Sequence, residues 1–167
     1  MGLPLVSSRP PAVSVSAKDY RIRPLKRGDK DVLFKLLAAD GWIVPSSEQE
    51  TVLSWVVQHP EIESFVAHHA ISYGSVFAVL SLSHRPQLRL GGRVGYIDLF
   101  AVDVGYRGNG VGSDLLAQAL RRAEALGCKR FELRLPGSRD YRHEFFEEHG
   151  FSPSGDALYV RRLNPLG

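Results

Sequence analysis

Residues 93–112 read R-V-G-Y-I-D-L-F-A-V-D-V-G-Y-R-G-N-G-V-G, and this stretch decides the fold. Its first half has the composition of a β-strand, and its second half is a glycine-rich turn. A helical pattern follows at once. Exposed backbone N–H groups at a helix start attract anions, so the order strand, glycine turn, helix is suited to a phosphate. Glycines at 108, 110 and 112 let the backbone approach a ligand without side chains in the way. Arg107 adds a full positive charge at the rim.

The flanking pattern places this stretch in a larger sheet. Residues 20–25 form a short strand in which Tyr20 and Ile22 share a face, ended by Pro24. Asp29 to Asp31 open a helix carrying Val32, Leu33, Leu36 and Leu37, with Gly41 beyond its end. A second helix starts at Ser47, with Glu50 three residues on as in a capping box. It carries Val52, Leu53, Val56 and Val57 and stops at Pro60. Trp42 lies in the loop between the two helices. Strand-like runs at 64–70, 75–83 and 94–102 are separated by turn signals at 72–74 and 85–92, which favours antiparallel pairing.

The helix after the glycine turn, about 110–126, has one apolar stripe: Val111, Leu115, Leu116, Ala119, Leu120, Ala123 and Leu126. Gly127 suits its end. The strand at 129–135 follows that helix and can pair parallel with 94–102 through a right-handed crossover. A short helix at 141–149 and a closing strand at 157–163 complete the order β-α-α-β-β-β-α-β-α-β. The fold class is α/β in the broad sense, an α+β mixed sheet with helices on its faces. A Pro- and Ser-rich arm, 1–18, precedes a single domain at 19–165.

Composition narrows the function. At 167 residues the chain can bury a real core. It has no apolar run near the roughly 18 residues of a membrane span, and no signal-peptide pattern. One cysteine, Cys128, excludes an internal disulfide framework and fits a cytoplasmic setting. It reads as a small buried hydrophobe. The net charge of +3 helps an anionic ligand approach, yet is too small to indicate nucleic acid. The six histidines have no metal-ligand spacing, so no metal is expected.

Two phosphate motifs fail. A P-loop needs Lys and then Ser or Thr after its last glycine, and Gly112 is followed by Ser113-Asp114. A dinucleotide fingerprint would need a glycine where Ser113 stands, and the chain after Gly112 is too short for a doubly wound domain.

Arg107-Gly108-Asn109-Gly110-Val111-Gly112 instead resembles the R/Q-x-x-G-x-G/A signature of the GNAT superfamily of N-acetyltransferases. Residues 99–106 resemble that family's strand leading into the turn. Phe145-Phe146-Glu147-Glu148-His149-Gly150-Phe151 resembles its F-Y-E-x-x-G-F block. The resemblance runs over residues 20–163. It implies transfer of an acetyl or other acyl group from acetyl-CoA to a primary amine of a small molecule or a protein. The turn backbone, Arg107 to Ser113, would hold the CoA pyrophosphate. Phe100, Ala101, Val102 and Val104 would line the pantetheine arm, in a strand that splays from the next, and Arg139 would contact CoA. A non-catalytic acyl-CoA-binding module of the same fold is the alternative. Family members often dimerise, so a homodimer is one assembly the resemblance allows.

Acid–base roles fall on few side chains. Asp98 lies four residues before Val102 in a strand that reads as buried, and is the candidate base. The N–H of Val102 suits a developing oxyanion. The family's general acid is the Tyr of F-Y-E, but this chain has Phe146 there, which cannot donate a proton. Tyr141 is the candidate substitute, ahead of Tyr106 and Tyr159. The acceptor amine is chosen, on this reading, by residues 38–47, the turn at 85–92 and the last strand.

Overall fold

A computed structural model of the protein describes residues 19–41, 46–72, 75–135, 141–156 and 161, with the side chains of Ser46 and Tyr141 aside. The arm at 1–18, Trp42, the Tyr73-Gly74 turn and the expected strand at 157–163, apart from Arg161, lie outside the described residues. The chain divides into two compact units, Met1–Arg134 and Leu135–Gly167.

The first unit contains β1 (Tyr20–Pro24), α1 (Lys30–Ala39), α2 (Ser46–Gln58), β2 (Ile62–His69), β3 (Val76–Gln87), β4 (Gly92–Val102), α3 (Val111–Ala125) and β5 (Cys128–Leu133). The five strands lie in sequence order in one sheet. β1 to β4 pair antiparallel, and β5 pairs parallel to β4. That parallel step is the crossover expected from a strand, a helix and a second strand.

Alternation along β3 sorts the sheet into two faces. Val79 belongs to a cluster with Leu33 and Leu36 of α1, Leu53 of α2, and Val66 and Ala101 of the sheet. Ala78, Leu80 and Leu82 alternate with Val79 and are completely buried, so they point to the opposite face. There α3 supplies its stripe of Val111, Leu115, Leu116, Ala119 and Ala123. Glu63, opposite Leu82 in the ladder, meets Arg122 of α3 on that face, with Nε to Oε2 at 2.7 Å.

Two boundaries and one face differ from the sequence reading. α2 starts at Ser46, and Glu50 pairs with Lys30 of α1 at 3.0 Å, so its carboxylate serves a tertiary contact. Val52 lies on the exposed side of α2, because one turn of that helix presents only Leu53 fully to the core. β3 continues through Arg85, Pro86 and Gln87, leaving only Leu88–Leu90 and Gly91 as the turn to β4. Pro86 is tolerated because it lies near the strand end, opposite Arg93.

The second unit contains α4 (Tyr141–Glu148). Phe146 is buried, with Phe145 and Phe151 packed edge-to-face on it at 5.1 and 5.4 Å. The chain turns back at Gly150, where Phe151 N–H donates to Phe146 O at 3.0 Å.

Candidate active site

The glycine turn leaves β4 and enters α3. Gly108 and Gly110 have φ of +79° and +81°, and a Cβ at either would meet nothing within 4 Å. The conformation therefore requires glycine, and the space beside both residues is open. Gly110 is the N-cap of α3, and the first helical bond is Asp114 N–H to Gly110 O at 3.0 Å. The N–H groups of Val111, Gly112 and Ser113 have no acceptor within the helix. Together with the helix dipole they form a cluster of donors suited to an anion.

Distant elements hold this turn in shape. Arg107 donates from Nε to Val102 O at 3.0 Å and from a terminal nitrogen to Asp40 Oδ1, past the end of α1, at 2.7 Å. Its charge is thus shared with a mostly buried carboxylate, and Arg107 acts as a clamp between β4, the turn and α1. Asn109 Nδ2 donates to Tyr106 O at 3.3 Å, and Asp103 accepts from Gly105 N–H at 2.8 Å. The Tyr106 ring stacks on Phe77 at 4.1 Å, and its hydroxyl shares a hydrogen bond with His69 Nε2 at 2.7 Å. Tyr20 OH donates to Asp114 Oδ2 at 2.5 Å, joining β1 to the first turn of α3. Burial, helped by Asp114, pushes the Tyr20 phenol up to about 12.

Sequence spacing could not reveal these supports. Asp40 lies 67 positions before Arg107, and Tyr20 lies 94 before Asp114. Only the acidic first turn of α3 gives a local hint.

Upstream of the turn, β4 outruns its parallel partner among the described residues. Its pairing with β5 ends at Ile97↔Leu133, so residues 98–102 extend past their parallel neighbour. Asp103 N–H donates to Phe77 O at 2.8 Å. N–H and C=O groups alternate sides along a strand, so those of Val102 point away from β3, toward the side on which β5 pairs. Arg107 already occupies the Val102 carbonyl from that side.

Asp98 lies where this edge begins. Leu82 faces Ile97 and Ser81 faces Leu99, so Asp98 is the extra residue of a β-bulge. This corrects the expectation of a buried strand. Asp98 is exposed and Ile97, Leu99 and Phe100 are half-buried, because β5 stops before covering them. The carboxyl is still raised from the ordinary range. Crowding by protein costs it hydration, and the Ser83 hydroxyl and backbone partly offset this by favouring the ionised form.

Of the expected site residues, the structure brings Phe100, Ala101, Val102, Val104 and 107–113 onto one continuous edge and turn, with Asp98 at its start. Ala101 points its side chain into the core with α1 and α2, and by the same alternation its N–H and C=O face β3. Arg139 and Tyr159 lie outside the described residues. Tyr141 opens α4, and its side chain is also outside them. Cys128 is half-buried, and burial raises its thiol while Arg93 acts in the opposite direction. Among the described residues, no group of three His, Cys, Asp or Glu is placed to hold a metal, and no helix is long and apolar enough to cross a membrane.

A sheet with one released strand edge running into a donor-rich turn defines a class of acyl-group-transferring folds. The sequence matches the acetyltransferase (GNAT) family over residues 31–151, and the chain belongs to that family. Family members use acetyl-CoA as cosubstrate. Solved structures agree on the fold. A Trypanosoma brucei acetyltransferase aligns at 23% identity and a TM-score of 0.72, covering 86% of this chain and 100% of its own. Glucosamine-6-phosphate N-acetyltransferase from Arabidopsis thaliana aligns at 20% and 0.72, covering 85% and 97%. A Bacillus halodurans protein described as a transcriptional regulator aligns at 22% and 0.75, covering 86% and 99%. No curated protein matches the sequence.

Proposed function

We propose that the protein transfers an acetyl group from acetyl-CoA to a primary amine, of a small molecule or a protein, by direct attack of the amine on the thioester. The observation that carries this reading is that β4 runs on past the end of its pairing with β5, from Asp98 into the glycine turn. The turn backbone from Arg107 to Ser113 is suited to the CoA pyrophosphate: it combines open space beside Gly108 and Gly110 with the positive end of the α3 dipole. Phe100, Val102 and Val104 offer backbone and wall to the pantetheine arm, and Arg139 is proposed as a further CoA contact.

Asp98 takes one proton from the acceptor's ammonium, and the neutral amine so formed attacks the thioester. Its position at a bulge turns the carboxylate off the strand, and exposure lets an acceptor reach it. The Val102 N–H offers a hydrogen bond to the charge that develops on the acyl oxygen. As the nitrogen–carbon bond forms the carbon–sulfur bond breaks; the nitrogen sheds its second proton, and the departing thiolate takes up one, so the proton given to sulfur by any donor is replaced by the one nitrogen releases. Tyr141 is the proposed donor, though a thiolate also leaves without one. The reaction is placed in the cytoplasm, within one domain at 19–165. No nucleic acid, membrane or metal is involved, and a homodimer is compatible with it.

One observation favours a second reading. Phe146 stands where a family general acid is expected, and it is fully engaged in packing with Phe145 and Phe151. A non-catalytic acyl-CoA-binding module would need no acid there. Thiol release from acetyl-CoA, measured against a panel of amines, separates the two. Turnover on any amine supports the enzyme. Tight CoA binding with no turnover on all of them would leave the binding module.

A further inference from the structure

We propose that Arg85 and Tyr96 form an anion subsite beside Asp98, so that the acceptor is a small amine carrying a carboxylate or a phosphate. This rests on the acetyl-transfer reading with Asp98 as base.

The register of β3 and β4 places the residues together. Ser83 lies opposite Tyr96, so their side chains share a face of the sheet. Arg85, two positions after Ser83, shares that face. Asp98, two positions after Tyr96 and turned by the bulge, is influenced by Ser83 and so reaches the same side. A strand rises about 3.3 Å per residue, which puts Tyr96 and Asp98 roughly 7 Å apart along β4. An amine and an anionic group a few bonds apart can span that distance.

Arg85 is held by an aromatic side chain and not by an acid. A terminal nitrogen donates to Tyr96 OH at 2.9 Å, and the guanidinium carbon lies 5.4 Å from the centre of the Tyr96 ring. Five other arginines are paired with carboxylates: Arg23 with Asp29, Arg93 with Glu61, Arg107 with Asp40, Arg122 with Glu63 and Arg130 with Glu132. Among the described residues no carboxylate pairs with Arg85. The phenol and the ring fix the guanidinium without an ion pair, and Glu132, opposite Tyr96 in β5, is itself paired with Arg130. A guanidinium has five donors in a rigid fork, which matches a carboxylate or phosphate with two parallel hydrogen bonds. Arg85 is exposed, so an acceptor can reach it. The same charge repels a polyamine.

Acceptors matched except for the anion test this in the full chain: an α-amino acid against its amide, glucosamine 6-phosphate against glucosamine, and spermidine as a cationic control. The anionic member of one pair should exceed its neutral partner in kcat/KM by roughly 10- to 100-fold, the scale of hydrogen bonds to a charged group. The pair that shows the difference identifies carboxylate or phosphate. Arg85→Gln should raise KM for that acceptor by a similar factor with KM for acetyl-CoA unmoved, and Arg85→Lys should recover part of the loss. If neutral amines or spermidine are acetylated as well as anionic ones, or if Arg85→Gln keeps the preference, the subsite is wrong while acetyl transfer stands. If no amine is acetylated, both readings fall.

Discussion

Two neighbouring regions of β4 are held in opposite ways. At its C-terminal end and through the glycine turn, the chain is fixed by partners from remote parts of the sequence: Asp40 on Arg107, Phe77 and His69 on Tyr106, Tyr20 on Asp114. At Asp98, a few residues upstream, a bulge interrupts the ladder and β5 no longer follows. The first region presents fixed backbone donors to an anion, and rigidity makes those donors effective. The second leaves a strand edge and a carboxylate accessible, as a reaction between two substrates requires.

Substitutions can break each region separately. The largest effect is expected from Asp98→Asn, which removes the proposed base and leaves the bulge. Turnover should fall by about 10²- to 10⁴-fold, the usual contribution of general base catalysis, with affinity for CoA retained. In the unaltered protein the rate should fall on the acid side at a pH above the ordinary carboxylate range, because desolvation raises Asp98 and the base must be ionised. A rate and pH profile unchanged by the substitution would remove Asp98 from the mechanism.

The next effect falls on the anchored region. Gly110→Val forces a β-branched residue to φ near +81° at the start of α3. A left-handed non-glycine residue costs roughly 1–2 kcal/mol, so calorimetric CoA affinity should drop by about 5- to 30-fold as the turn relaxes. Unchanged affinity would contradict the placement of the pyrophosphate. Arg107→Ala tests the clamp. It leaves Asp40, mostly buried, without this partner and frees the Val102 carbonyl. Loss of about 1 to 3 kcal/mol is expected in denaturant melts. If stability holds but CoA binding fails, Arg107 serves the ligand and not the clamp.

The smallest effect is Tyr20→Phe, about 1 kcal/mol for one hydrogen bond. Its signature is the pH dependence. The folded protein holds the Tyr20 proton to about pH 12, whereas the unfolded chain releases it near 10. Between those values the folded state binds more protons, so stability falls as pH rises through the window. The Phe variant should lack that part of the alkaline loss.

The legible parts of the sequence were those with local causes. Apolar periodicity marked α3 and its stripe, and turn chemistry marked the glycine loop. Nine of the ten elements in the expected order lie among the described residues and are present there. Features with long-range causes were not legible. Glu50 fits a capping box by spacing, yet its carboxylate pairs with Lys30 of another helix. Asp98 read as buried because its neighbours are apolar, but burial depends on where β5 ends.

The sequence alone therefore determined the secondary structure, the donor-rich turn and the family, since backbone preference and periodicity act over a few residues. Tertiary structure decided what the turn rests on, where β5 stops along β4, and that Arg85 meets a phenol while Arg107 meets an acid. Those outcomes depend on strand register and on where the neighbouring strand stops, and both are set by packing between segments far apart in the chain.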